Sequence, residues 1–271
     1  MKTIKLNDFE IGKEKLTILA GPCAMESEEI CYTTATRLKE ITSRLGINFV
    51  FKTSFDKANR SSLKSYRGLG IDKGLKILQK IKDELNVPIV TDIHESSQAE
   101  KVAEVADIIQ IPAFLCRQTD LLVAAAKTNR IINIKKGQFL SPYQMKSIAQ
   151  KVIDSGNDKI LITDRGTTFG YNNLVVDFRG VEIIQKELGY PLVFDATHSV
   201  QIPGGHGESS AGERKFVPLL AKAAMAAGAK ALFFEVHPHP ECALCDGDNM
   251  LVLDDCEEVF DICNKIFKLV N

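Results

Sequence analysis

Short β-branched runs alternate with longer stretches of helical period along the whole chain. The runs are LTILAGPC (16–23), NFVFKTS (48–54), PIVTDI (88–93), DIIQIPAF (107–114), RIINIKKGQ (130–138), KILITDRGT (159–167), PLVFDATHS (191–199) and ALFFEVH (231–237). Their interiors are nearly continuous in Val, Ile, Leu and Phe, as parallel strands buried on both faces require. Between them apolar residues recur every three or four positions: Leu38, Ile41 and Leu45 within 26–45, and Leu78, Ile81 and Leu85 within 75–85. Further helices fit 97–105, 119–127, 142–155, 179–188, 212–227 and 256–270. Eight strand-then-helix units predict an α/β chain folded as a (β/α)8 barrel of the TIM type. A doubly wound open sheet is the runner-up, but it would place a Gly-rich dinucleotide turn after the first strand, and AGPCAMES lacks that pattern. The first dozen residues predict a short hairpin closing the barrel's N-terminal end. No linker or low-complexity tract interrupts residues 1–271, so one catalytic domain is expected.

Composition narrows the classes. Of 271 residues, 45% are hydrophobic and 25% charged, as in a soluble globular protein with a sizeable core. A net charge of −1 gives no electrostatic reason to expect nucleic acid or an anionic membrane as partner. The charged N-terminal stretch lacks the apolar core of a signal peptide, and no apolar run approaches the roughly 20 residues that span a bilayer. Four of the seven cysteines, Cys31, Cys116, Cys256 and Cys263, fall inside apolar-periodic segments. Those read as small buried hydrophobes in a reducing, cytoplasmic setting.

Barrels of this type carry their active sites at the C-terminal ends of the strands. Each run ends in a chemically useful group: Cys23, Lys52, Asp92, Gln110, Lys135 with Gln138, Arg165, Asp195 with His198, and Glu235. Loops are polar anyway, so a single such residue says little. The set says more, because Lys52, Lys57, Arg60, Lys135 and Arg165 would converge on one face and need anionic ligands such as phosphate or carboxylate. The connection at 52–74 is long for a strand-to-helix loop, which usually takes ~2–6 residues. Its KANRSS (57–62) sets Lys57, Asn59, Arg60 and Ser61 close together, a grouping that suits phosphate oxygens. PGGHGESSAG (203–212) fails as a phosphate loop, since Glu213 and Arg214 stand where Lys and Ser/Thr are required. It reads instead as a loop in which His206 faces solvent. The densest stretch, EVHPHPECALCDGDN (235–249), has the short Cys/His spacing of a metal knuckle.

Taken in order, AGPC with MES, FKTSFDKANRSS, TDIHE, QIPAFLCRQTDL, NIKKGQF, TDRGTTFGYNNLVVDFR, DATHSVQ and DGDNML resemble the 3-deoxy-D-manno-octulosonate 8-phosphate synthases over essentially the whole chain. The related synthase of the seven-carbon shikimate precursor carries a Lys-Pro-Arg-Thr-type motif where this chain has KANRSS. The resemblance implies condensation of phosphoenolpyruvate with arabinose 5-phosphate and water, for lipopolysaccharide biosynthesis, by a homotetramer. It implies that Lys57, Lys135 and Arg165 hold phosphoenolpyruvate, with Gln110 and Gln138 lining its pocket and Lys52 at the reacting carbons. Asn59, Arg60 and Ser61 would engage arabinose 5-phosphate, and Arg117 would reach a neighbouring subunit's site. The family divides into metal-dependent members with Cys after the Gly-Pro of the first strand and metal-independent members with Asn there. Cys23 therefore implies a divalent transition ion, Fe2+, Zn2+, Mn2+ or Co2+, held by Cys23, His198, Glu235 and Asp246, with His198 and Asp246 able to move protons. On that reading Cys242 and Cys245 have no ligand role.

Other readings stay open at this level. The acceptor could be erythrose 4-phosphate. A Schiff-base aldolase would use Lys135 or Lys52 as its amine. A non-catalytic metal- or phosphosugar-binding protein would be organised around 235–249.

Overall fold

A computed structural model describes residues 1–60, 62–202 and 211–271, so Ser61 and His206 lie outside the described residues. Eight parallel strands form the expected barrel: Thr17–Gly21, Asn48–Lys52, Ile89–Asp92, Ile108–Ile111, Ile131–Lys135, Ile160–Asp164, Leu192–Asp195 and Ala231–His237. The ring closes where the eighth strand pairs with the seventh, Val193 opposite Ala231, and with the first, Thr17 opposite Ala231. Closure leaves no sheet edge among these strands.

The period-two alternation of each strand divides the apolar residues into two cores. Ile18, Phe51, Ile89, Ile109, Ile132, Ile162, Phe194 and Phe234 belong to a large outer core that includes the helices. Leu19, Val50, Val90, Ile108, Ile131, Leu161, Val193, Ala231 and Phe233 form a separate inner core. Ile4, Leu6 and Ile11 join that inner core, from an antiparallel hairpin of Ile4–Leu6 with Phe9–Ile11. The hairpin therefore plugs one end of the barrel, as the N-terminal pattern predicts. Two residues further along each strand the same inward positions turn polar: Val50 gives way to Lys52, Val90 to Asp92, Ile108 to Gln110, Val193 to Asp195 and Phe233 to Glu235.

The helices surround the ring. The first, Glu28–Leu45, starts where the Ser27 hydroxyl accepts the Ile30 N–H at 3.1 Å and ends at Gly46 in the left-handed region, φ 66°. The others are Ile71–Leu85, Ala99–Ala103, Thr119–Lys127, Met145–Asp154, Arg179–Glu182 continuing as a π-helical turn over Ile183–Glu187, Val217–Ala226 and Cys256–Val270. The seventh begins later than its apolar period predicts, because Pro218 fits a first helical turn and the preceding Arg214–Phe216 forms a tighter 3-10 turn. Cys31, Cys116, Cys256 and Cys263 are buried and free. No helix among the described residues is long and apolar enough to cross a membrane.

Candidate active site at the C-terminal mouth of the barrel

The polar layer lies beneath a cavity lined by Lys52, Lys57, Asn59, Arg60, Asp92, His94, Gln110, Lys135, Gln138, Arg165, His198, Gln201 and Asp246, with Pro112, Ala113 and Phe114 at one wall. The second to seventh strands contribute lining residues at or just beyond their C-terminal ends, and the loop after the eighth adds Asp246, which is the face where barrels of this type keep their sites. Arg117, by contrast, is exposed and does not line this cavity.

Glu235 is the hub. Its side chain is fully buried, and its Oε1 accepts from Lys52 Nζ at 2.7 Å and from Lys57 Nζ at 3.3 Å. Burial disfavours the Glu235 carboxylate, yet His198, Lys52, Lys57 and Lys135 around it hold its pKa well below the usual range. Burial likewise opposes the Lys57 ammonium, and the charges of Cys23, Glu235 and Asp92 together outweigh it, so Lys57 titrates well above an ordinary lysine. Lys52 also donates to the Cys23 carbonyl at 3.1 Å. That contact depends on Gly21, where a Cβ would sit 2.1 Å from the Lys52 carbonyl oxygen.

Asp195 organises the neighbouring side. It accepts from Lys135 Nζ at 2.6 Å, lies 2.7 Å from His198 Nδ1, and accepts the His198 backbone N–H at 2.9 Å. Burial raises the pKa of Asp195, but His198 and Lys135 more than reverse this and keep it ionised. An ionised acceptor at Nδ1 fixes the proton there and leaves Nε2 with its lone pair. That Nε2 faces Glu235 Oε2 at 3.4 Å. Burial lowers the pKa of His198, which favours the neutral ring. Lys135 is also lowered by burial, and its Nζ sits 4.1 Å from the centre of the Phe233 ring. Arg165, lowered by burial, donates to the His198 carbonyl at 3.1 Å and to Gln201 Oε1 at 2.5 Å.

The third group comes from the first strand and the loop after the eighth. Asp246, at φ 48°, lies with Oδ2 3.6 Å from Cys23 Sγ, while its Oδ1 accepts from Arg60 Nη1 at 3.1 Å. Ligand atoms of Cys23, Cys245 and Asp246 lie within 4.8 Å of one another, and so do those of His198, Glu235 and Asp246. Asp246 belongs to both groups, so all four residues expected around an ion face one region. The donor set suits such an ion. Glu235 Oε2 is buried with no hydrogen-bond partner among the described residues, and His198 Nε2 points at it. An unsatisfied buried carboxylate oxygen is costly unless something with positive charge meets it.

The sequence treated Cys242 and Cys245 alike, and the structure separates them. Cys242 is exposed, whereas Cys245 is buried with its Sγ 3.1 Å from Cys23 Sγ and 3.1 Å from Arg60 Nη1. His237 is buried and His239 is exposed. His94, Gln201 and Cys245 were not singled out for the site. The available hints were chain neighbours: His94 follows Asp92 by two positions, and Cys245 immediately precedes Asp246.

Over residues 2–271 the chain matches the DAHP synthetase I family. It is 54% identical over 259 residues to the 2-dehydro-3-deoxyphosphooctonate aldolase of Fusobacterium nucleatum, covering 96% of this chain and 93% of that one. To the protein of the same name from Bordetella petrii it is 57% identical over 258 residues, 93% of this chain and 90% of the other. The Francisella tularensis subsp. holarctica protein of that name is 52% identical over 268 residues, 98% and 97% of the two chains. With identity of this order along nearly the full length, the chain belongs to the DAHP synthetase I family, among its 2-dehydro-3-deoxyphosphooctonate aldolases.

Proposed function

We propose that this protein condenses phosphoenolpyruvate with D-arabinose 5-phosphate and water, giving 3-deoxy-D-manno-octulosonate 8-phosphate and inorganic phosphate. The observation that carries the reading is the convergence of Lys52, Lys57, Arg60, Lys135 and Arg165 on one cavity at the barrel mouth. Two phosphorylated substrates, one also a carboxylate, need that density of cations for binding and orientation. Lys57, Lys135 and Arg165 hold phosphoenolpyruvate against the buried end of the cavity, with Gln110 and Gln138 beside it. Gln138 Oε1 is buried without a hydrogen-bond partner among the described residues and is available to a ligand donor. Asn59, Arg60 and Ser61 take the sugar phosphate, Ser61 lying outside the described residues.

The reaction requires C3 of the enol phosphate to attack the aldehyde carbon while water adds at C2. The resulting tetrahedral centre then loses phosphate by C–O cleavage. Lys52 sits at the floor, beside Glu235, where the reacting carbons come together. His198, held by Asp195 through Nδ1, and Asp246 are the groups placed to take or give protons. The protein is read as metal-dependent, with Cys23, His198, Glu235 and Asp246 as the residues that would hold a divalent transition ion. Such an ion supplies polarisation of the aldehyde oxygen or acidification of the water. The donor set of one thiolate, one imidazole and two carboxylates admits Fe2+, Zn2+, Mn2+ and Co2+.

The reading extends to the chain as a whole: one catalytic unit over 1–271, a homotetramer to which exposed Arg117 contributes at a neighbour's site, and a cytoplasmic location. All seven cysteines being free thiols fits a reducing compartment.

Turnover with five-carbon and four-carbon sugar phosphates, together with metal analysis of the purified protein, tests the proposal. Arabinose 5-phosphate is the expected acceptor, and better turnover with erythrose 4-phosphate would overturn the reading of KANRSS. One observation favours the Schiff-base alternative: burial makes Lys135 easier to deprotonate. The Asp195 carboxylate at 2.6 Å opposes it, and borohydride is expected to trap no substrate adduct.

A further inference from the structure

Two lysines stand side by side at the end of the fifth strand, and their surroundings differ. Lys135 lines the cavity and pairs with Asp195 at 2.6 Å. Lys136 does not line the cavity, and its side chain is 1% exposed. Successive residues of an extended strand point to opposite faces. The Lys136 N–H still bonds to the Thr163 carbonyl at 2.7 Å, so the pairing that turns Lys135 inward turns Lys136 away from the lumen. There its ammonium meets oxygens from two separate loops. Nζ donates to the Leu140 carbonyl, the Gly166 carbonyl and the Thr167 hydroxyl, each at 3.2 Å. Asp164 Oδ1 stands at 3.3 Å and supplies the opposite charge that a buried ammonium needs. An ammonium has three N–H groups, and the three acceptors take them all. Lys136 therefore keeps no donor for a ligand.

Gln138 lies between Lys136 and Leu140, and Arg165 immediately precedes Gly166. Both line the cavity, and each keeps a buried polar atom without a hydrogen-bond partner among the described residues: an acceptor, Gln138 Oε1, and a donor, Arg165 Nε. We propose that Lys136 is a positioning residue, whose ammonium ties the Gln138 loop to the Arg165 turn and so sets the spacing of these two groups around phosphoenolpyruvate. This rests on the reading of Gln138 and Arg165 as phosphoenolpyruvate-binding. The two loops also meet where the Thr168 N–H donates to the Gln138 carbonyl at 2.9 Å. The Leu140 and Gly166 carbonyls, by contrast, are both acceptors and cannot bond each other. With the Asp164 carboxylate they aim negative ends at one point, and a cation between them is what lets them converge. Without it, three buried oxygens face one another unpaired, and the loops relieve that by moving apart.

The test compares wild type, Lys136→Met and Thr167→Val as full chains, by calorimetric titration with phosphoenolpyruvate, steady-state turnover and urea unfolding. Met keeps the bulk of the side chain and removes its charge and donors. Affinity for phosphoenolpyruvate should fall about 10- to 100-fold, with its KM rising in step, because displacing a binding group by about 1 Å has effects of that order. The KM for arabinose 5-phosphate should not change. Thr167→Val removes one acceptor and should weaken phosphoenolpyruvate roughly 2- to 10-fold, as for one hydrogen bond. A Lys136→Met protein that is less stable yet binds phosphoenolpyruvate like the wild type makes Lys136 a structural strut and overturns the proposal. So does an equal rise in KM for both substrates. Should Lys136→Met not fold, Thr167→Val decides, and unchanged phosphoenolpyruvate affinity there overturns the proposal. A wild-type protein that binds phosphoenolpyruvate but turns over no arabinose 5-phosphate overturns the functional reading instead and leaves the role of Lys136 standing.

Discussion

The two halves of the barrel interior are made by the same strands and do opposite things. Near the hairpin, Leu19, Val50, Val90, Ile108, Leu161, Val193 and Phe233 interlock in a dry layer. Two residues further along, the inward positions are Lys52, Asp92, Gln110, Asp195 and Glu235, buried almost as completely. The first layer stabilises the fold by removing apolar surface from water. The second takes charges out of water, and even well-paired buried ions rarely recover their full desolvation cost. The lower half therefore carries the stability that lets the upper half hold an arrangement chosen for its ligands.

That division is open to direct attack. Glu235→Ala leaves Lys52 without its carboxylate at 1% exposure, and breaking a buried pair in this way costs about 3–5 kcal/mol. Activity should fall by at least about 10²-fold, because the floor of the site loses its anchor. The sharper version is the double variant Lys52→Met/Glu235→Met. It should recover most of the lost stability in urea titrations while remaining inactive. A double variant as unstable as the single one would mean that the pair contributes net stability, and the contrast would collapse. In the lower layer, Leu161→Ala should cost about 2–5 kcal/mol by opening a cavity. Its kcat, assayed well below the melting temperature, should stay that of the wild type. A large kcat loss would show that the apolar layer sets the geometry above it more tightly than the comparison allows.

The legibility of the sequence follows the same line. Barrel, hairpin and helix positions were readable because they depend on period: 2 along Val50–Lys52 or Phe233–Glu235, and near 3.6 along Leu38, Ile41 and Leu45. Strand-end chemistry was readable for the same reason, since a barrel brings the C-terminal ends of its strands together whatever their separation in the chain. Pairings were not. Nothing local to Asp195 says that it holds Lys135 and His198 at once, and nothing in ECALCDGDN says that Cys245 rather than Cys242 turns inward. That choice is made by the backbone at Asp246, φ 48°, and by Arg60, which lies 185 residues from Cys245 in sequence. Ligand identities were carried by family resemblance, not by spacing.

Within the upper layer a smaller change separates orientation from charge. Asp195→Asn keeps the shape but removes the carboxylate that fixes the His198 ring. Partners of this kind are typically worth ~10–100-fold in metal affinity, so competition against a chromophoric chelator should show a loss in that range. Unchanged affinity would mean that the ring is held by packing on Phe233 rather than by Asp195.

The mildest effect concerns the shell outside both layers. Burial pushes the Cys31 and Cys263 thiols up to about 12, from 9.0 for a free thiol. Below about pH 9 both states are protonated, and the stabilisation from keeping these thiols neutral is fully present. As pH rises from there towards 12, the unfolded chain releases protons that the native protein retains, so stability falls by about 1.4 kcal/mol per pH unit for each thiol. Cys263→Ala should thus cost a little at neutral pH yet show an alkaline limb shallower by that amount, in denaturant midpoints taken between about pH 9 and pH 11. The outer shell differs from the upper lumen in one respect: Glu235 has Lys52 and Lys57 beside it, whereas the Cys263 sulfur is surrounded by apolar core. If the variant follows the wild-type limb, the outer shell tolerates a buried anion as well as the site does, and pairing rather than position ceases to explain where this protein keeps its charges.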